Sequence, residues 1–483
     1  MEHSAIDTQN AQPATLKTDL LIIGGGSGGL SIAAGAVQMG ADVTLLEGHL
    51  MGGDCLNFGC VPSKALIASA KQAHAQEAAQ FGVSPVSPKV DYAQAKDHVK
   101  SVIAAIEPHD SQERFESLGV RVIRAFGRFI SETEVQAGET VITARRIVIA
   151  TGSGPFVPPI PGLEDVTVHT NETIFDLREK PEHLIVIGGG PIGMEMAQAH
   201  VRLGSKVTVI EGAKALGKDD PEMAAFVLDN LRAEGIEIIE GAQAERISGS
   251  DGSVTVHTPQ GDITGSHLLM AVGRKVNVDK LDLDKAGVKF DRRGVEVGAD
   301  LRSVTNKRVY AVGDAAAGLQ FTHVAGYHAG VVVRSILFGL PAKASTKHIP
   351  WATYTDPELA QVGLTEAQAR KEFGPKLEVV RMDYGGNDRL IAEGKTKGLV
   401  KVMIVKGRPV GASIAGFMAG ELIGTWAMMI ANKMKMTALS NTVFPYPTVS
   451  EINKRVAGAY LGPKLFESSV VKRVVQTVQR FIP

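Results

Sequence analysis

The two cysteines of the chain, Cys55 and Cys60, have the clearest capacity for chemistry and lie in the segment GGDCLNFGCVPSK at 52–64. Cysteines at this separation can form a disulfide if the backbone turns once between them, and Gly59 favours such a turn. A helix beginning near Pro62 would place Cys60 at its positive end, which lowers the thiol pKa and favours the thiolate. The alternative is a pair of buried, inert cysteines. The segment therefore predicts either a redox-active pair or a structural one.

Two copies of the pattern Gly-x-Gly-x-x-Gly indicate dinucleotide binding. They begin at Gly24 and Gly188, and each follows a short apolar run, at 19–23 and 183–187, and precedes a helical pattern. The first glycine permits a tight turn, the second admits a pyrophosphate, and the third lets the helix pack on the strand. The helix N-terminus then stabilises the phosphate charge. Glycine turns also occur without nucleotides, but a duplicated unit favours two bound dinucleotides.

An acidic residue follows each fingerprint at the same spacing and indicates which nucleotide is bound. Glu47 and Glu211 occupy the position where a carboxylate accepts hydrogen bonds from an adenosine ribose. A carboxylate at 211 repels a 2′-phosphate, and the next two residues, Gly212 and Ala213, supply no cation. Lys214 leaves NADPH as a second option. We therefore expect NADH to be preferred.

The surrounding patterns predict the elements that position these residues. Each fingerprint lies in a strand–helix–strand unit, which predicts an α/β fold with two Rossmann-like, doubly wound domains. Further strands are predicted at 146–152 and 309–314, the latter returning to the first domain, and prolines at 155–161 mark a crossing between domains. From about Trp351 onward, alternating strands and helices predict a third, α+β domain.

Composition excludes several classes of function. Fifty-one basic and 52 acidic residues give a net charge of −1, so we expect no nucleic-acid partner. No apolar run approaches the length of a membrane helix, and residues 1–18 lack a signal-peptide pattern, which together predict a cytoplasmic protein with a loose N-terminal tail. Two cysteines are too few for a four-cysteine metal site, and we expect no bound metal.

These motifs and their order resemble the pyridine nucleotide–disulfide oxidoreductases, a family that includes dihydrolipoyl dehydrogenase, glutathione reductase and mercuric reductase. The resemblance covers nearly the whole chain. It rests on the Gly24 fingerprint, the cysteine segment at 52–64, Ala150-Thr151-Gly152, the Gly188 fingerprint, Ala271-Val272-Gly273-Arg274, Gly313-Asp314 and the final domain.

The resemblance implies a homodimer in which each subunit binds FAD at the first fingerprint and NAD(P)H at the second. NADH would pass its electrons through the flavin to a Cys55–Cys60 disulfide, leaving Cys60 as a thiolate against the flavin and Cys55 as the attacking nucleophile. Lys64 would lie beside the flavin and pair with Glu195. An ammonium there stabilises developing negative charge.

The resemblance also assigns domains and site residues. The implied domains are a tail at 1–18, an FAD-binding domain at 19–155 and 281–350, an NAD(P)-binding domain at 156–280, a dimerisation domain at 351–460 and an extension at 461–483. The candidate catalytic residues are Cys55, Cys60, Lys64, Glu195, Tyr446 and Glu451. The candidate cofactor-binding residues are Gly24, Gly26, Gly29, Glu47, Gly53, Ala125, Thr151, Gly152, Asp314, Thr322, His323, Gly188, Gly190, Gly193, Glu211 and Gly273. Thr322 and His323 would begin a helix aimed at the flavin, although His323 could equally be a capping or packing histidine.

One position departs from the disulfide-reducing members of the family. In those enzymes a histidine before Pro-Thr, held by a glutamate five residues on, acts as general acid and base. Here Tyr446 occupies that position and Glu451 is retained. A phenol titrates near 10 and never becomes cationic, so it cannot stabilise a thiolate as an imidazolium does. The same aromatic occurs in mercuric reductase, but this chain has no cysteine after Cys60 to receive the metal.

The acceptor is therefore left between a small disulfide and a soft metal ion. The alternatives are a dihydrolipoyl dehydrogenase, a mercuric reductase-like enzyme, and a flavoprotein that senses NADH or docks on a complex with little turnover.

The last segment, 461–483, has the pattern of a basic amphipathic helix. Phe466, Val470, Val474 and Phe481 share a face that could lie on a membrane or dock on a partner. More often such a face packs on its own protein, and that is the expectation here.

Overall fold

The computed structural model describes residues 14–77 and 81–482 and confirms the predicted mixed α/β fold. The chain divides into two compact units. The first comprises residues 1–62, 99–155 and 274–344, and the second comprises 63–98, 156–273 and 345–483. Two helices, Cys60–Gln76 and Tyr92–Ile106, have residues in both.

The first unit is built on a seven-stranded sheet. Its strands are Ala14–Ile23, Val43–Leu46, Arg121–Ile123, Gly127–Phe129, Glu134–Ala137, Thr140–Ile149 and Val309–Ala311. Ala14–Ile23 lies at the centre and pairs in parallel with Val43–Leu46 on one side and Thr140–Ile149 on the other. Its last four residues, Leu-Leu-Ile-Ile, are all buried, which is why a continuous apolar run forms this strand.

The returning strand predicted at 309–314 is confirmed as Val309–Ala311, which pairs with Thr140–Ile149. Short strands at Ser153–Pro155, Arg274–Val276, Phe290–Asp291 and Gly294–Val295 complete the unit. Its helices are Ser27–Gln38, Gly53–Asn57, Gln112–Ser117 and Thr322–Phe338.

The N-terminal tail predicted at 1–18 is wrong for its last residues. The first strand begins at Ala14, and residues 14–18 pair with Thr140–Ala144. The segment Ala-Thr-Leu-Lys-Thr alternates polar and apolar residues, so a search for continuous apolar runs overlooks this first part of the strand. The rest of the predicted tail, 1–13, lies outside the described residues.

The second unit contains a parallel sheet formed by the second fingerprint. Its strands are Val168–His169, His183–Ile187, Lys206–Glu211, Glu237–Glu240 and His267–Met270, joined by the helices Pro191–Arg202 and Pro221–Ala233. A separate three-stranded sheet of Arg246–Ser250, Ser253–Thr258 and Gly261–Gly265 also belongs to this unit.

The second unit also contains a five-stranded antiparallel sheet. Its strands are Pro350–Thr353, Glu358–Gly363, Leu377–Asp383, Gly398–Val405 and Arg408–Gly416. Its helices are Glu366–Phe373, Asp388–Ala392, Ala419–Ala431, Met436–Asn441, Glu451–Phe466 and Ser469–Phe481. The helix Ala419–Ala431 buries Trp426 against this sheet, so the region has an apolar core of its own. Within the described residues, no helix combines the length and apolarity needed to cross a membrane.

Candidate active site

The first glycine fingerprint has the geometry of a phosphate-binding turn. Gly24 has φ +114°, and a Cβ there would lie 2.3 Å from the carbonyl oxygen of Ala150. A Cβ at Gly29 would lie 1.9 Å from the oxygen of Gly24. These two glycines are therefore required by the fold itself. Gly26 differs, because the nearest atom to its Cβ would be the Cα of Gly53, 3.8 Å away.

The second fingerprint repeats this arrangement. Gly188 has φ +113°, and a Cβ there would lie 2.4 Å from the oxygen of Ala271. A Cβ at Gly193 would lie 2.0 Å from the oxygen of Gly188, whereas Gly190 has nothing within 4 Å. In both copies the outer two glycines are required by close contacts with the protein backbone, whereas a Cβ on the middle glycine would face open space.

The carboxylate after each fingerprint is held by the same two backbone contacts. Glu47 accepts hydrogen bonds from the N–H of Gly25, at 2.7 Å, and of His49, at 2.6 Å. Glu211 accepts them from Gly189, at 2.7 Å, and Ala213, at 2.8 Å. A carboxylate offers about four acceptor positions, so each keeps capacity for ribose hydroxyls.

The cysteine pair lies at the start of two helices. The helix Cys60–Gln76 begins at Cys60 itself, and the Sγ of Cys60 lies 3.3 Å from the Oγ1 of Thr322, the first residue of the helix Thr322–Phe338. Both helix N-termini favour negative charge on this sulfur. The two cysteines are not joined by a disulfide here, and Cys60 is exposed whereas Cys55 is half-buried.

The protons of the pair are distributed unequally. A hydrogen bond to Cys60, together with burial, raises the pKa of the Cys55 thiol well above its usual range. A thiol that donates a hydrogen bond to its neighbour retains its proton. The arrangement therefore favours Cys60 as the thiolate and Cys55 as the thiol.

A charged network that sequence analysis missed lies around Asp314. The hydroxyl of Ser153 donates to Asp314 Oδ2 at 2.5 Å, and Arg274 donates to both the hydroxyl and the carbonyl of Ser153. Arg274 also forms an ion pair with Asp54, at 3.1 Å, directly before Cys55. Burial raises the pKa of Asp314, and the hydrogen bond from Ser153 and the positive charge of Arg274 oppose that rise. The network therefore fixes the position of Asp54, the residue before Cys55, relative to Asp314.

Lys64 and Glu195 form an ion pair in the second unit. The ammonium of Lys64 lies 2.8 Å from Glu195 Oε2, and the backbone N–H of Tyr354 donates to Glu195 Oε1 at 2.9 Å. The Glu195 side chain is only 7% exposed, against 38% for Lys64. The ammonium also lies 4.3 Å from the centroid of the Tyr354 ring, which adds a cation–π contact. Tyr354 is thus another residue that sequence analysis missed.

One face of the helix Pro191–Arg202 holds the segment that carries Tyr354. Gln198 exchanges two hydrogen bonds with the backbone of Asp356, at 2.7 and 2.8 Å. Arg202, with its side chain 4% exposed, forms ion pairs with Asp356 and Glu234. These contacts fix the backbone N–H that Glu195 accepts.

Tyr446 does not contact Glu451 through a hydrogen bond. Its hydroxyl donates to Asp388 at 3.1 Å, and the side chain is 70% exposed. The hydrogen bond and the negative charge of Asp388 raise the pKa of Tyr446. Glu451 Oε2 is buried and has no hydrogen-bond partner among the described residues. Asp388, which also pairs with Arg455 at 3.4 Å, was not foreseen because it lies far from 446 in sequence.

The other candidate residues are placed as follows. The Thr151 hydroxyl donates to the carbonyl of Asn277 at 2.7 Å, and Gly152, with φ +64°, accepts from the Asn277 N–H. Gly273 has φ +134° and open space at its Cβ. Ala125 is half-buried against the core of the first unit. Three more candidates remain. Thr322 begins its helix, and His323 stacks on Phe321. Gly53 has φ +63° and approaches Gly26 closely.

Missed residues that lie beside a motif could have been identified from the sequence, but contacts between residues far apart in the chain could not. Arg274 directly follows Gly273 in a quoted motif, and Asp54 directly precedes Cys55. Ser153 lies 121 positions from Arg274 and 161 from Asp314. No local pattern indicates such contacts.

Comparison with known proteins agrees with this geometry. The model of the pyridine nucleotide-disulphide oxidoreductase family matches residues 18–329, and that of its dimerisation domain matches 349–457. The mercuric reductase of Lysinibacillus sphaericus is 32% identical over 442 residues, which cover 90% of this chain and 81% of that protein. The dihydrolipoyl dehydrogenase of Bacillus subtilis is 31% identical over 447 residues, covering 89% of this chain and 96% of that protein.

A solved structure shares the fold closely. The Cu(II) complex of the HOCl-induced flavoprotein disulfide reductase RclA from Escherichia coli superposes with a TM-score of 0.83. It is 28% identical in sequence and covers 92% of this chain and 99% of that chain. The chain belongs to the pyridine nucleotide–disulfide oxidoreductase family and is an FAD-dependent enzyme whose cofactors are FAD and NAD(P).

The residues present fit both cofactors. The fold explains the outer glycines of each fingerprint. A Cβ at Gly26 or Gly190 would clash with no atom of the described residues, so contacts within that part of the chain do not explain these two glycines. A ligand backbone that approaches closely does explain them. The carboxylates of Glu47 and Glu211, held by backbone N–H groups, suit the ribose of each nucleotide.

Proposed function

We propose that the enzyme takes electrons from NADH and delivers them through Cys55 and Cys60 to a thiol-reactive acceptor. The observation that carries the proposal is the position of Cys60, 3.3 Å from Thr322 and at the first residue of its own helix, with Cys55 as its hydrogen-bonded partner. Bound FAD would supply the hydride acceptance and two-electron transfer that link NADH to the dithiol.

The candidate catalytic residues have distinct proposed roles. Cys60 holds the thiolate charge, stabilised by two helix N-termini and the Thr322 hydroxyl. Cys55 attacks the acceptor as its proton leaves. Glu195 holds the Lys64 ammonium in place by an ion pair, so that it is available to stabilise negative charge at the cofactor. Tyr354 acts through these two residues and is a positioning residue.

The geometry supports NADH as the preferred reductant. Both oxygens of Glu211 are fixed by backbone N–H groups, so the carboxylate cannot swing away from a 2′-phosphate. The nearest candidate cation, Lys214, is directed to Glu240 at 3.9 Å. A phosphate at this position would meet a fixed negative charge.

We propose a soft metal ion as the acceptor. Thiolates select soft metals. The mercuric reductases are named for mercury, and the solved structure of RclA is a Cu(II) complex. Tyr446 cannot provide the imidazolium that exchange with a disulfide substrate uses. For Hg²⁺ the balance is NADH plus Hg²⁺ giving NAD⁺, H⁺ and Hg⁰, and for copper one NADH reduces two Cu²⁺ to Cu⁺.

The test compares acceptors at saturating NADH. We expect NADH oxidation to depend on Hg²⁺ or Cu²⁺ and to exceed oxidation with lipoamide or glutathione disulfide. Both Cys55→Ser and Cys60→Ser should abolish the metal-dependent rate. Equal rates in these variants, or a faster rate with a disulfide, would overturn the metal proposal.

A second candidate is dihydrolipoyl dehydrogenase activity. It is favoured by the retained Glu451, whose Oε2 is buried and has no hydrogen-bond partner in the described chain, and by the similarity to the B. subtilis enzyme. Turnover of dihydrolipoamide with NAD⁺ would test it. Tyr446→His should raise that rate if lipoamide is the substrate, and an unchanged rate would count against this candidate.

The domain roles and the homodimer are part of the same proposal. The family match at 18–329 supports FAD binding by 19–155 and 281–350 and NAD binding by 156–280. The match at 349–457 supports pairing of two chains through 351–460. Sedimentation of the holoenzyme as a monomer would contradict the dimer.

A further inference from the structure

The C-terminal helix Ser469–Phe481 exposes a complete apolar face. None of its residues is buried, and Val470, Val474 and Phe481 are 66%, 56% and 73% exposed. The sequence predicts that this face packs on its own protein, and the structure shows that prediction to be wrong. Periodicity identifies an apolar face, but only the tertiary structure shows whether a complementary surface exists.

The face is broad and sharply separated from the polar side. At about 100° per residue, the apolar side chains cover roughly 140° of the helix circumference. The members of this face are Val470, Val471, Val474, Val475, Val478, Phe481 and the following Ile482. The remaining arc carries only polar and basic residues. Ser468 caps the helix by accepting the Val471 N–H at 3.3 Å, so the helix is formed without other packing.

The charge of the helix is entirely positive. Its charged residues are Lys472, Arg473 and Arg480, and in the described part of the chain none of the three forms an ion pair with a carboxylate. The nearest acid along the chain is Glu467, which precedes the helix. Lys464, by contrast, is paired with Glu378 at 2.5 Å and is not available. The enzyme as a whole has a net charge of −1, so this positive charge is local.

The breadth of the apolar face and the positive charge beside it together indicate which kind of partner would cover it. A second copy of the helix would cover only a narrow seam of the face and would bring six like charges together with no acid to pair them. A flat anionic surface would cover the whole apolar arc and complement the flanking cations. Charge complementarity therefore favours a lipid surface over a second copy.

We propose that the helix Ser469–Phe481 is a membrane-surface anchor that lies in the interface of an anionic lipid bilayer. Its valines and Phe481 enter the boundary between headgroups and acyl chains, while Lys472, Arg473 and Arg480 contact the lipid phosphates. The helix is about 20 Å long at 1.5 Å per residue, so it lies on the bilayer and does not span it.

The experiment uses the full-length holoenzyme and sedimentation with vesicles. One set is phosphatidylcholine alone, and the other is phosphatidylcholine mixed with phosphatidylglycerol. We expect binding to the mixed vesicles, weakened by salt, and little binding to phosphatidylcholine. Val474→Gln with Val478→Gln removes apolarity without changing charge and should abolish binding. Replacing each cation by glutamine should weaken binding about fivefold per residue.

The matched control is Gln476→Ala with Gln479→Ala, which changes two residues on the polar side of the same helix. It should bind like the native enzyme, and all variants should keep the native visible spectrum and NADH oxidation. Two results would overturn the proposal. One is binding of Val474→Gln/Val478→Gln to vesicles as tight as that of the native enzyme. The other is absence of vesicle binding by the native enzyme. In that case a change of oligomeric state in Val474→Gln/Val478→Gln would assign the face to a second copy.

Discussion

The Glu195 carboxylate lies 2.8 Å from the Lys64 ammonium, although the two residues are 131 positions apart in the chain. Glu195 is nearly enclosed, and its other oxygen accepts the Tyr354 N–H. A glutamine has only one acceptor oxygen, so it would keep one of these two hydrogen bonds, and it would remove the negative charge that pairs with Lys64. We expect Glu195→Gln to slow reduction of the flavin by NADH by about one to two orders of magnitude, equivalent to about 1.4–3 kcal/mol of barrier.

Stopped-flow reduction under anaerobic conditions measures this effect. Glu182→Gln, an exposed residue in the same unit, is the matched control and should reduce at the native rate. A native rate in Glu195→Gln would remove the ion pair from the proposed chemistry.

The glycines of the two fingerprints should separate ligand binding from folding. Gly26→Ala should fold but bind FAD at least about tenfold more weakly, because its Cβ would enter ligand space and contacts no protein atom closer than 3.8 Å. Gly190→Ala should keep FAD and raise the KM for NADH. Gly29→Ala should lose about 3 kcal/mol or more of stability, since its Cβ would lie 1.9 Å from a backbone oxygen.

Flavin content, KM and urea unfolding distinguish these outcomes. Gly330→Ala, at an exposed helical site with nothing within 4 Å, is the control and should stabilise the protein by about 0.5–1 kcal/mol. Normal FAD and NADH affinities in the Gly26 and Gly190 variants would show that no phosphate approaches these positions.

Ionisation of the Tyr446 phenol should not affect the pH–rate profile of the enzyme near neutral pH. Asp388 raises the pKa of its phenol, so the group keeps its proton well above pH 9. We expect Tyr446→Phe to leave the shape of the pH–rate profile unchanged between pH 6 and 9, and Tyr446→His to add a new limb near about 6.5. A basic limb that disappears in Tyr446→Phe would contradict this assignment.

Asp219 should make the native protein less stable as the pH rises. Burial raises its pKa from 3.8 to about 6, while its Oδ1 accepts the Trp351 indole N–H at 2.8 Å. The folded state therefore holds the proton more tightly than the unfolded state, and the stabilisation present below pH 3.8 is lost as pH rises through 6. Asp219→Asn keeps the acceptor and removes the charge.

We expect Asp219→Asn to raise the free energy of unfolding at pH 7.5 by about 2 kcal/mol, with little difference from native near pH 4.5. Urea unfolding of the holoenzyme across that range measures it. The pKa values of Glu222 and Glu366 are lowered beside Lys401 and arginine partners. Their contributions to the stability of the folded state therefore decrease at lower pH, and they do so equally in the native enzyme and in Asp219→Asn. A constant difference at all pH values would show that the carboxyl does not titrate in this window.

The sequence predicted local geometry well and long-range contacts poorly. The fingerprints and the returning strand at 309–311 follow from glycine spacing and short apolar runs. The helix predicted to begin near Pro62 is present and begins at Cys60. Ser153, Arg274 and Asp314 meet only because the sheet brings distant turns together, and a side-chain network of this kind has no period to detect. The exposed face of the C-terminal helix could not be foreseen either, because exposure depends on the neighbouring surface.

The central claim is that electrons reach the cysteine pair and leave Cys60 as a thiolate. Anaerobic titration of the holoenzyme with NADH, followed by its visible spectrum, tests it most directly. The account predicts a long-wavelength charge-transfer band before the flavin bleaches. It also predicts that Cys60→Ser lacks the band and that Cys55→Ser shows it before any NADH is added. Bleaching of the native flavin without such a band would contradict the account, because the cysteines would then not be coupled to the flavin.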